Sequence, residues 1–182
     1  MYGLVHLCLR DMITEHLGGR AWERVCQSES IDPDAVIVTT EMYDDEITFR
    51  LIKGGAVEFA MPFDDFFEEF GKGWVRYASS NRYCGMLKAC GSDLESLIRN
   101  LDGLHQAVSS TLTSARIGSF KIKSSGQGWL IVRYDSARVG IERFVVGLMN
   151  GLLIYFDLIG SARIISYDDR TVEVLLNYQM KS

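Results

Sequence analysis

Up to Leu112 apolar residues recur every three or four positions, and beyond it they alternate. That change of period divides the chain into a helical part and a mixed part. Leu4, Val5, Cys8, Met12 and Ile13 give a helix over Gly3–Leu17 one buried face, and Gly18 and Gly19 end it. A short helix follows around residues 21–25, and residues 28–34, with Pro33, read as a loop. Ile37 and Val38 suit either a short strand or the lead-in to the next helix. Residues 44–59 and 62–79 read as helices, the second with Pro62 near its first turn and Asp64, Asp65, Glu68 and Glu69 early, where carboxylates suit the helix dipole. Phe63, Phe66, Phe67, Phe70, Trp74 and Tyr77 form an aromatic stripe that core packing explains by itself. Residues 83–91 make a shorter helical piece. Residues 93–112 then form the helix around which the chain is organised, with Leu94, Ile98, Leu101 and Val108 on the face that carries His105.

Strand-like runs at 119–123 and 129–134 flank a Ser/Gly turn at 124–128. A long helix over 140–158 follows, and runs at 163–167 and 171–176 close the chain as a hairpin through Asp168, Asp169 and Arg170. Helices first and then β-β-α-β-β indicate an α+β fold: a helical N-terminal lobe and a C-terminal lobe with helices and a four-stranded antiparallel sheet.

Composition narrows the partners. A net charge of -5 and a pI near 5.2 argue against nucleic acid or an anionic membrane. The longest charge-free run, 144–156, is too short to cross a bilayer, and the start of the chain lacks the basic and apolar regions of a signal peptide, so a cytoplasmic protein is expected. Cys8, Cys26, Cys84 and Cys90 show no CxxC spacing and read as reduced, structural thiols. No nucleophile elbow or phosphate-binding glycine loop is present, so no enzyme is expected.

Two groups of residues could carry chemistry. A lone His105 on an apolar face is most simply a core histidine bonded to a carbonyl, and His6 and His16 do not complete a zinc site with it. Tyr134, Ser136 and Arg138 fall at i, i+2 and i+4, which on an extended strand would put two hydroxyls and a guanidinium on one face over roughly 13 Å. Such a set suits carboxylate oxygens. A solvated strand face is the plain alternative.

Several of these residues stand in a recognisable arrangement: Met1-Tyr2-Gly3-Leu4-Val5, Trp22-Glu23, Phe70-Gly71 with Trp74, Asn100 to His105, and Tyr134-x-Ser136-x-Arg138 followed by Gly147. In these the chain resembles the H-NOX (haem nitric oxide/oxygen-binding) family, bacterial relatives of the haem domain of soluble guanylate cyclase. The resemblance covers essentially all of residues 1–182. It implies one haem-binding domain, with an N-terminal lobe of about residues 1–65, a haem-holding lobe of about residues 66–182, and haem between them. His105 would be the proximal ligand of a b-type haem, and Tyr134, Ser136 and Arg138 would hold its propionates. Leu101 and Leu104 would pack near the proximal face, and Val5, Trp74, Phe144 and Leu148 would line the distal side.

Oxygen-binding members carry a distal tyrosine where alignment on Gly147 puts Phe144. Phenylalanine donates no hydrogen bond, so the resemblance implies binding of NO and CO with oxygen largely excluded. The alternative is an oxygen-binding member in which the Trp74 indole is the donor. A haem-free interaction module of the same fold is a further reading. The family usually carries prolines between the proximal helix and the first strand, and none occurs over 111–119, with Ile117 and Gly118 at those positions. A gas sensor of this kind would signal through release of His105 to a separate partner, by resemblance a histidine kinase or a cyclic-di-GMP enzyme.

Overall fold

The structure is a computed structural model that describes residues 1–80, 84–111 and 118–181, with side chains for all of these except 108–111. Helices α1 (Gly3–Leu17), α2 (Gly19–Ser28), α3 (Asp45–Glu58), α4 (Phe63–Ser80), α5 (Cys84–Cys90) and α6 (Leu94–Thr111) lead into β1 (Ser119–Gly126) and β2 (Trp129–Asp135). Then come α7 (Glu142–Tyr155), β3 (Leu158–Tyr167) and β4 (Thr171–Met180). The strands form one antiparallel sheet in the order β1-β2-β4-β3. The α+β architecture expected from the change of period is the one observed.

Local chemistry sets the boundaries. Gly18, at φ 83°, turns the chain between α1 and α2 in a conformation that side chains resist. The Asp44 carboxylate accepts from Glu46 N at 2.9 Å and caps α3, and Asp93 does the same for α6 through Ser96 N at 2.9 Å. The ends of the expected pieces at Tyr83 and Leu112 lie outside the described residues. Ile37 and Val38 enter neither strand nor helix. They belong to a loop whose carbonyls hold the start of α1, with Thr39 O accepting from Leu4 N at 3.2 Å and Glu41 O from Gly3 N at 3.0 Å.

Three sequence boundaries shift for physical reasons. The first hairpin closes through Gln127 and Gly128 alone, because Gly126 already pairs with Trp129 and Gly128 takes φ 77°. Helix α7 stops at Tyr155, short of 158, where Asp157 takes a left-handed φ of 54° and Leu158 opens β3. Strands β3 and β4 outrun their apolar alternation, since pairing from Leu158 with Met180 onward carries Gly160, Ser161 and Ala162 into the sheet.

The aromatic stripe of α4 is core, with Phe66, Phe67 and Phe70 almost wholly buried, and Trp74 and Tyr77 half-buried at its end. Helix α4 touches α1 and α3 on one side and lies along α7 on the other. The α4–α7 approach needs glycine. A Cβ at Gly147 would sit 2.0 Å from Glu68 O, and one at Gly71 would sit 2.3 Å from Phe144 O. Asn150 locks the crossing, donating to Glu68 Oε1 at 3.0 Å and accepting from Ala162 N at 2.8 Å. Replacing Gly147 with alanine is therefore expected to cost about 3 kcal/mol, at the upper end for overpacking. A fall in the urea midpoint measures it. Gly103→Ala on α6, where nothing lies within 4 Å of the added carbon, should leave the midpoint unchanged or raise it.

Buried His6 ties α1 to α3. Its Nε2 lies 2.7 Å from Thr48 Oγ1, which donates onward to Asp44 O at 3.3 Å, so the imidazole is the donor to Thr48. Burial first, and the charge of the Met1 amino group second, lower its pKa from 6.5 to about 4. The unfolded chain then binds the proton more readily than the folded one, so stability falls as pH drops from 6.5 toward 4. The gap corresponds to about 3 kcal/mol at its fullest. In urea titrations at pH 7 and near pH 4, His6→Gln should flatten that loss.

Candidate functional site

His105 sits on the inner side of α6, half-buried, with Leu101 buried one turn before it and Leu104 half-buried beside it. Its Nδ1 lies 3.1 Å from Gly118 O. A carbonyl can only accept, so Nδ1 carries the proton and Nε2 keeps its lone pair. No hydrogen bond among the described residues uses Nε2. Burial lowers the imidazole pKa, against the opposing pull of the Gly118 carbonyl and the Asp102 charge, so the ring is neutral at pH 7. These are the tautomer and charge state of a histidine that binds a metal through Nε2.

Residues on both sides of His105 hold it in place. Three positions earlier, the Asp102 carboxylate accepts from Ser119 Oγ at 2.5 Å and from Phe120 N at 2.8 Å, fastening α6 to the start of β1. The His105 ring lies 6.0 Å from that of Phe120, and Phe120 lies 4.4 Å from Tyr134. A Cβ on Gly118 would stand 2.3 Å from the Tyr134 hydroxyl, so Gly118 is the one residue type that lets the phenol approach this backbone. The sequence reading placed Gly118 only as the site of a missing proline, and Asp102 only as part of a motif. A carboxylate and a glycine spaced around the end of a helix gave no independent signal.

Tyr134, Ser136 and Arg138 come together differently from the expectation. Strand β2 ends at Asp135, so only Tyr134 belongs to it, and its ring is buried on the core face. Ser136 N donates to Arg170 O at 2.6 Å, and Ser136 Oγ accepts from Arg138 N at 2.8 Å, which bends the chain out of the strand. The hydroxyls and guanidinium are gathered by that bend. Burial raises the Tyr134 pKa, so the phenol stays protonated and can donate. Arg138 Nε donates to Asp45 Oδ2 at 2.9 Å, and the other oxygen of Asp45 accepts from the Met1 amino group at 2.7 Å. Burial opposes ionisation of Asp45, but these cationic donors outweigh it and hold its pKa below the ordinary value.

The four distal candidates are all half-buried and packed against the core. Phe144 and Leu148 enter at the α4–α7 crossing, where Phe144 O and Leu148 N face Gly71. The Phe144 ring stands 5.4 Å from Phe67 and 5.5 Å from Phe70. Trp74 lies one turn beyond Gly71 and stacks on Tyr77 at 6.4 Å. Val5 follows the two N–H groups of α1 that the loop carbonyls hold.

The donor set fits a haem. One neutral imidazole offers a lone pair from an apolar wall to iron, and a phenol, a hydroxyl and a guanidinium offer what two carboxylates need. His105 on α6 and the Tyr134, Ser136 and Arg138 group are the residues that would hold such a haem. The chain belongs to the haem-NO-binding family, whose model matches residues 2–161, and it is thus a haem-binding gas-sensor domain.

Among curated proteins it is similar to soluble guanylate cyclase gcy-35 of Caenorhabditis elegans, 25% identical over 151 residues, which are 82% of this chain and 22% of that protein. It is also similar to soluble guanylate cyclase 89Db of Drosophila melanogaster, 22% identical over 149 residues, with 82% and 22% covered. The chain spans about a fifth of the length of these relatives. Among solved structures, an H-NOX protein from S. oneidensis in the Fe(II)NO ligation state matches with a TM-score of 0.84 at 19% identity, covering 98% of this chain and 99% of that one. An oxygen-binding H-NOX domain in its oxygen complex matches at 0.82 and 16% identity, covering 98% and 95%. One fold thus serves an NO-ligated and an oxygen-ligated protein.

Proposed function

We propose that the chain holds a b-type haem through His105 and senses NO, with CO as a further ligand and oxygen largely excluded. The observation that carries the reading is the His105 Nδ1 to Gly118 O bond, which aims a lone pair rather than a proton from Nε2. Bound haem would supply an iron that takes a diatomic gas. Tyr134, Ser136 and Arg138 bind its propionates, Leu101 and Leu104 pack near the proximal face, and Val5, Trp74, Phe144 and Leu148 line the gas side. Phe144 gives no hydrogen bond, which disfavours oxygen and leaves NO unaffected.

Signalling would run through release of His105 and reach α6, the helix that Asp102 and the His105–Gly118 O bond tie to the start of β1. In this proposal the domain moves as two lobes, about residues 1–65 and 66–182. The Asp45–Arg138 ion pair would be a contact between them, joining α3 of the first lobe to the carboxylate clamp of the second. A gas that shifts Arg138 therefore shifts a contact between lobes, which supplies the differential interaction that a population shift requires. The reader of that shift would be a separate protein, a histidine kinase or a cyclic-di-GMP enzyme, in the cytoplasm. Among the described residues no helix is long and apolar enough to cross a membrane.

A second reading rests on Trp74, whose indole N–H donates to no group among the described residues and could serve bound oxygen. One spectrum series decides. The reduced protein is recorded without ligand and then under NO, CO and air. The NO reading expects Soret shifts with the first two and oxidation or no change in air. A stable oxygen complex would favour Trp74, and absence of any Soret band after haem supplementation would leave a haem-free module.

A further inference from the structure

The sheet has one covered face. Phe120, Leu130, Val132, Tyr134, Val172, Val174 and Leu176 are buried on it, beneath α6 at β1 and α7 at β3 and β4. Successive strand residues alternate faces, so the other side takes the residues between them. There the register sets Ile131 opposite Leu175, Trp129 opposite Asn177, and Arg133 between Lys121 and Glu173. Arg163 of β3 stands on the far side of Leu175. Trp129, Ile131 and Leu175 are half-buried, yet none is packed against the core. They form an apolar row in the middle of the sheet, and no described helix lies over it.

Charge distinguishes this face from the rest of an acidic chain. Lys121, Lys123, Arg133 and Arg163 outnumber Glu173 and Asp135, although the protein as a whole carries -5. Both acids are already engaged, Glu173 by Lys123 at 2.7 Å and Asp135 by Arg133 at 2.8 Å. Lys121 and Arg163 are exposed and make no ion pair among the described residues. Lys121 also lies directly across from Arg133, a like-charged pairing that an incoming anion relieves.

We propose that this face docks a partner protein through an acidic amphipathic helix. The helix would lay its apolar stripe on Trp129, Ile131 and Leu175 and its carboxylates on Lys121 and Arg163. Four strands spaced about 4.8 Å apart give a face wide enough for one helix about 10 Å across, and a helix there would complete a third layer. A second copy of this chain is disfavoured, since two faces with excess cations repel. A single aromatic offers little for bases to stack on, which disfavours nucleic acid. The occupant would press on β2, whose inward residue Tyr134 belongs to the carboxylate clamp, so the surface touches the same strand as the candidate haem site.

The test uses the haem-loaded chain and four probes: a Leu/Glu amphipathic helical peptide, its Leu/Lys counterpart, phosphatidylglycerol vesicles and single-stranded RNA. Binding is followed by anisotropy of labelled probe, and its location by amide hydrogen exchange over β2 and β4. The expected result is that the Leu/Glu peptide alone binds, slows exchange in both strands, and binds about tenfold more weakly after Lys121→Glu with Arg163→Glu. Both positions are exposed, and an unchanged Soret spectrum shows that the variant is folded and keeps the haem reading intact whatever the docking result. No binding of the Leu/Glu peptide, binding indifferent to the double substitution, or preferential binding of any other probe overturns the proposal.

Discussion

His105→Gly is expected to purify with little haem and to regain a Soret band when imidazole is supplied during expression. The structure explains why the loss should be large. His105 presents Nε2 from a ring fixed by Gly118 O and flanked by Phe120, and no other described residue offers iron a comparable neutral nitrogen at this wall. Changes to outer partners of a metal ligand cost about 10–100-fold in affinity, and loss of the ligand itself should exceed that. The measurement is the ratio of Soret to protein absorbance, followed by NO-dependent regulation of a partner, which should vanish. Retention of full haem with an unchanged ferrous spectrum would sink the assignment of His105.

If the proposed NO reading holds, Phe144→Tyr should give the pocket an oxygen complex that the native residue does not support. A hydrogen bond to a charged group contributes about 1.5–3 kcal/mol, which corresponds to roughly 10–150-fold in oxygen affinity. The Phe144 ring is half-buried between Phe67 and Phe70, close to the α4–α7 crossing, so a tyrosine can keep that packing and extend a hydroxyl beyond it. Oxygen dissociation from the reduced protein, by flash photolysis or stopped flow, reports the change, with NO affinity little altered. Trp74→Phe should leave the air spectrum of the native pocket as it was. If instead Phe144→Tyr changes nothing and Trp74→Phe abolishes an oxygen complex, the indole is the distal donor.

The distribution of these residues shows why some of the site could be read from sequence and some could not. The i, i+2, i+4 spacing of Tyr134, Ser136 and Arg138 suggested one extended strand face, whereas β2 ends at Asp135 and the chain bends at Ser136. Ser136 leaves the strand because its N–H finds Arg170 O, 34 positions away, and spacing carries no information about such a partner. Asp45 was only part of a helix start in the sequence, yet it holds the Met1 amino group and Arg138 at once, 44 and 93 positions distant. The Glu68–Asn150–Ala162 bridge was equally silent.

The sequence by itself determined the elements: the period that separates helix from strand, the glycine at 18, the helix starts near Asp44 and Asp93, and the buried faces of α4 and α6. These follow from interactions between residues one to four apart, which a linear reading contains. The tertiary structure alone decided the chemical state of those elements: that His105 is neutral with its proton on Nδ1, that Gly118 admits the Tyr134 ring, and that Gly71 and Gly147 let two helices touch. Each depends on which distant backbone atom arrives beside a side chain, and only the packing of the whole chain fixes that.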